Sequence, residues 1–168
     1  MLYTDESLDG FIQEFAAGTF SRTGWNHAAH LTVAGCYLQM YPQPEATRRI
    51  RAGIRHYNEC QGIANTVDSG YHETLTLFWI SQATHHLAQY GPGLSRADKV
   101  RQLVEALAPR RDLYRDYYSF DVVLSQQARR EWVAPDMKPL PCPIAPSTTL
   151  ESSSDILPPS PTPVSNPA

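Results

Sequence analysis

The sequence predicts an all-α fold, a helical bundle of about five main helices with a disordered Pro/Ser-rich C-terminal tail. Three observations carry that expectation. Apolar residues recur at helical spacing along five segments. Proline stays out of the interiors of those segments, and Gly18, Gly62 and Gly91 follow the ends of three of them. No stretch alternates apolar and polar residues long enough to argue a sheet. With 168 residues the chain is long enough for one domain with a substantial core.

The first helix is expected from Ser7 to about Ala17, with Leu8, Phe11, Ile12 and Phe15 on one face and Asp5 or Ser7 as its cap. Gly18 supplies its stop. The second runs from about Asn26 to Tyr41. Its centre, Leu31 to Met40, is apolar on nearly every side, which places it in the middle of the bundle. The third begins near Pro44, with Glu45 in its first turn, where the helix dipole favours a carboxylate. Ala46, Ile50, Ile54 and Tyr57 form its inner stripe; Arg48, Arg51, Arg55 and Asn58 form a polar one. Gly62 closes it, and Ile63 to Gly70 reads as a loop.

The fourth helix is expected from about Tyr71 to Tyr90, capped by Asp68 or Ser69, with Leu75, Phe78, Trp79 and Leu87 apolar. Gly91-Pro92-Gly93 breaks the chain, and Ser95 caps a fifth helix ending near Leu107. A short helix follows Pro109, then a break near Ser119 and another short helix over about Asp121 to Trp132. Val133 to Pro141 reads as an extended segment that packs back. The helical domain is thus expected over 1–141 and a disordered tail over 142–168. From Pro143 on lie half of the chain's fourteen prolines, with no aromatic residue to offset ordering entropy.

Bulk composition excludes several classes. Net charge is -3 and no motif for reading nucleic acid is present, so no nucleic-acid partner is expected. No apolar run reaches the roughly 20 residues that span a bilayer. The acidic start, Met-Leu-Tyr-Thr-Asp-Glu, lacks a signal peptide's basic head, so the expected location is cytoplasmic. Cys36, Cys60 and Cys142 are odd in number and far apart, which argues against a disulfide framework. Cys36 reads as a core filler.

The chemistry concentrates in two motifs. Trp25-Asn26-His27-Ala28-Ala29-His30-Leu31 puts two imidazoles three residues apart. On a helix they lie about 60° apart and one turn along the axis, so two nitrogens can converge on one point. Gly70-Tyr71-His72-Glu73-Thr74 adds a third imidazole and a carboxylate at another helix start. His27, His30 and His72 are therefore the expected metal ligands, for a divalent transition metal such as Zn, Ni, Fe or Cu. Glu73 is the expected catalytic base or orienting partner. Against this stand simpler readings: capping or core histidines, and an acidic side chain that merely complements a helix start.

Arg51 and Arg55, one turn apart, are expected to anchor a carboxylate or phosphate, with Trp25 and Tyr57 also in contact with substrate. The competing reading is a solvated or salt-bridged face. His56 is placed at the edge of its helix, and His85 and His86 on the surface, because neighbouring residues on a helix diverge. Asp121 reads as a cap rather than a ligand.

The motif segments, together with Gly18-Thr19, Ile50-Arg51, Ile54-Arg55 and Tyr57-Asn58, resemble a family of small bacterial α-helical proteins. The resemblance covers about Leu8 to Leu140 and implies a fold, not an activity. A more distant analogy is to DinB-like bundles, whose three histidines bind a divalent metal. Their usual H-x-x-x-H pair is not found here, so the analogy implies only a histidine-lined bundle.

The leading expectation is a metal-dependent enzyme acting on a small, anionic molecule at a site between helices. Two alternatives stay open: a non-catalytic metal- or ligand-binding module, and a metal-free His/Glu acid–base enzyme.

Overall fold

The second helix of the chain, α2 (His27–Met40), is the one the others surround. Every residue from Leu31 to Tyr37 is buried, as a helix apolar on all sides requires. The computed structural model describes residues 3–144. Around α2 pack α1 (Asp5–Ala16), α3 (Gln43–Cys60), α4 (Glu73–Leu87) and α5 (Arg96–Leu107). A one-turn α6 (Gln126–Arg130) sits against α4, and single 3-10 turns occur at Arg22–Gly24, Ala108–Arg110 and Leu113–Asp116. Among the described residues there is no strand. The fold is an all-α bundle of five main helices.

Local chemistry sets the helix ends. Thr4, rather than Asp5 or Ser7, caps α1; its hydroxyl accepts from the Ser7 amide at 3.1 Å while Ser7 Oγ accepts from the Thr4 amide at 2.9 Å. Asn26 caps α2 through the Ala29 amide, and Ser95 caps α5 as expected, accepting from the Asp98 amide at 3.0 Å. The fourth helix differs. Neither Asp68 nor Ser69 caps it; the His72 ring does, and the helix starts at Glu73.

The region after α5 is less helical than its sequence suggests. The Arg110–Tyr118 stretch forms only 3-10 turns, and the helix expected over Asp121–Trp132 shrinks to Gln126–Arg130. Asp121 explains the shortening: its carboxylate accepts from the Val123 and Leu124 amides and closes a turn instead of a helix. The following chain wraps α4. Thr74 Oγ1 donates to the Glu131 carbonyl and accepts from the Val133 amide. Ser81 Oγ does the same with Cys142, donating to its carbonyl and accepting from its amide. Residues 142–144, assigned from sequence to the tail, therefore pack on the domain; the rest of that expected tail lies outside the described residues.

The loop between α3 and α4 is held by Asn65, whose side-chain oxygen accepts from Asn58 Nδ2 at 2.8 Å and from the Tyr71 amide at 3.0 Å. Gly70 makes this possible. It has φ +75°, and a Cβ there would meet the Ala64 carbonyl oxygen at 2.5 Å. Gly70→Ala is expected to lower unfolding stability by roughly 2 kcal/mol in urea titrations. Gly91→Ala, in open space with nothing near its Cβ, should stay within about 0.5 kcal/mol of the parent.

Candidate functional site

A cavity of about 460 Å³ opens where the first turns of α2 and α4 meet the inner face of α3. Trp25, His27 and His30 supply one wall; Ile50, Ile54 and Asn58 of α3 supply a second. The loop and α4 complete it with Ile63, Tyr71, His72, Leu75, Thr76 and Trp79. His27, His30 and His72 thus come from two helix starts to one cavity, as the sequence suggests. No lining residue is Lys, Arg, Asp or Glu.

His30 lies one turn into α2, and its Nδ1 is 2.9 Å from the Asn26 carbonyl oxygen. That carbonyl can only accept, so Nδ1 carries the proton and Nε2 keeps a bare lone pair. Burial lowers the pKa of His30 below the ordinary value. His27 opens α2 and packs its ring 4.4 Å from that of Trp79. Its Nε2 is buried and without a hydrogen-bond partner among the described residues. Burial, reinforced by His30, brings its pKa from 6.5 down to about 4. Both rings are neutral at pH 7.

His72 is a structural residue by its contacts. Its Nε2 donates to the Val122 carbonyl at 3.0 Å, and its Nδ1 accepts from the Leu75 amide at 3.3 Å. Both ring nitrogens are engaged with backbone, so neither offers a lone pair to an ion. Among the described residues no group of three or more His, Cys, Asp or Glu side chains is placed to hold a metal. The three-histidine ligand set expected from sequence shares a cavity but is not assembled as a coordination site.

Glu73 turns away from that cavity. Its buried carboxylate receives Arg51 at 2.6 Å and Arg55 at 3.1 Å, and the Tyr71 hydroxyl at 2.7 Å. The Arg55 guanidinium also lies 4.0 Å above the Tyr71 ring. Burial and the neighbouring carboxylate push the Tyr71 phenol well above its usual range. This cluster ties α3 to the start of α4. It engages the two arginines expected to anchor substrate and the carboxylate expected to act as base.

Of the remaining sequence candidates, Trp25 lines the cavity, its ring tilted against that of His30 at 4.1 Å. Tyr57 does not; it is fully buried, 4.3 Å behind Trp25, and donates to the Phe20 carbonyl. His56 lies 3.6 Å from the exposed Cys60 thiol, away from the cavity. Sequence reading missed Arg129, which donates to the Gly70 and Val123 carbonyls and pins the loop beside His72. No local pattern marks it, because its partners are backbone carbonyls and those of the loop, at Gly70 and Tyr71, are distant in sequence. Trp79 was legible only as an apolar residue, though its ring sets the position of His27.

Removing the acidic partner from this ion cluster leaves two half-buried guanidinium groups uncompensated. Glu73→Ala is expected to cost roughly 3 kcal/mol in chemical denaturation. Acid should also weaken the fold through His27. The unfolded chain takes up a proton near 6.5 and the folded one only near 4, so the unfolded state binds more protons between those values. This contribution is complete above pH 6.5 and is lost as pH falls to about 4. Urea midpoints measured across that window should drop, and His27→Gln should flatten the slope.

No membrane-spanning helix is present among the described residues. No family model matches the chain, nor does any curated protein or solved structure, so the motif resemblance adds nothing beyond an all-helical fold.

Proposed function

We propose that the protein is a binding module for a small, largely apolar molecule, held in the cavity between α2, α3 and α4. The observation that carries this reading is the cavity itself. It falls in the size range of small-molecule sites, and its walls are mainly aromatic and aliphatic with a few polar groups. Its lining carries no formal charge, and the His27 and His30 imidazoles are neutral. The residues that would drive metal or acid–base chemistry are committed elsewhere: His72 to backbone, and Glu73 to Arg51, Arg55 and Tyr71. A binding role therefore fits better than turnover, and an uncharged occupant fits better than the anion expected from sequence.

Titration with the neutral fluorophore N-phenyl-1-naphthylamine tests it. Saturable binding is expected, with quenching of the tryptophans that line the site. Thr76→Trp, which fills the cavity from its rim, should weaken binding about tenfold or more. Absence of any saturable signal would overturn the reading. So would stoichiometric zinc, nickel, iron or copper in purified protein that disappears in His30→Ala, since that result restores the metal centre.

A further inference from the structure

We infer that the occupant of this cavity is a neutral aromatic molecule carrying a hydroxyl or N–H donor, and that His30 Nε2 is the acceptor that selects it. The inference rests on the binding role proposed above and narrows it to one ligand chemistry.

The argument begins with the tautomer. The Asn26 carbonyl fixes the proton on His30 Nδ1, which leaves Nε2 able only to accept. His30 lines the cavity, and the hydrogen bond of its ring among the described residues is the one at Nδ1. The ring cannot turn away, because Trp25 packs against it at 4.1 Å and Nδ1 is anchored. A fixed lone pair on a mainly apolar wall discriminates by what it meets. A donor satisfies it, while an ether or a hydrocarbon buries it unpaired at a free-energy cost.

Charge narrows the class further. A carboxylate in this cavity would find no cation on its wall, since the nearby Arg51 and Arg55 are drawn to Glu73. An ammonium would find no carboxylate, for the same reason. A carboxylate would lose its hydration without a compensating partner, and an ammonium would meet only neutral groups in place of one. The aromatic rings of Trp25 and Trp79 on the walls favour a flat, polarisable occupant over a flexible chain. A phenol, a naphthol or an indole satisfies every one of these conditions.

Three naphthalenes of nearly equal size separate the possibilities at pH 7: 2-naphthol, 2-methoxynaphthalene and 2-naphthoate. Calorimetric titration of the full chain should rank 2-naphthol about tenfold tighter than its methyl ether, with naphthoate weakest. His30→Phe, its fold checked by circular dichroism, should reduce the preference for naphthol over its ether to about twofold or less. His30→Gln, which restores an acceptor oxygen, should recover part of it. Naphthoate binding as tightly as naphthol, or the ether binding equally well, would overturn the inference on the unaltered protein alone. Survival of the full preference in His30→Phe would overturn the role of His30. These results leave the cavity reading standing, whereas failure of the fluorophore to bind removes both.

Discussion

A buried carboxylate has to find cations, and Glu73 finds two. Its side chain is 6% exposed, and an ionised group so placed would be strongly destabilising alone. Arg51 and Arg55 come from successive turns of α3, so satisfying Glu73 fixes the rotation of α3 as well as its distance from α4. The same rotation turns Ile50, Ile54 and Asn58 toward α2 and builds the cavity wall. The ion cluster lies behind that wall rather than on it. Charge is concentrated in one network, and the cavity beside it is left neutral.

His72 plays the second part. As the N-cap of α4 it satisfies one of the amides that every helix start leaves unpaired. Its other nitrogen reaches the Val122 carbonyl, so one ring joins the helix start to the late chain. Imidazole is an unusual choice for a cap, where a Ser, Asn or Asp oxygen is commoner. Its length explains the choice: only a ring with nitrogens on opposite sides can reach both groups at once.

Much of this fold was legible in the sequence because it depends on periodicity and punctuation. The central place of α2 followed from its apolar circumference, and the stops after α1 and α3 followed from Gly18 and Gly62, both at positive φ. The meeting of the two histidine motifs in one cavity also followed from their positions at helix starts. What the sequence could not show was where each polar atom is engaged. A His-Glu pair next to an Arg pair reads equally well as catalytic or structural until distances are known. The short helices after α5 failed for a related reason: Asp121 can cap a turn as readily as a helix, and local pattern does not choose between them. Cys36 illustrates the opposite case. Burial alone determined its role, and its thiol is pushed up to about 12, too high for reactivity.

The late segment that wraps α4 has a consequence for biosynthesis. The Val122 carbonyl that receives His72, and the Arg129 side chain that pins Gly70, are made 50 and 59 residues after the groups they hold. A chain growing from the ribosome can bring α1 to α5 together first, driven by their apolar faces. Until residues near 130 emerge, His72 and Gly70 on the cavity wall lack their distal supports. The shape of the cavity thus depends on residues that contribute nothing to its lining.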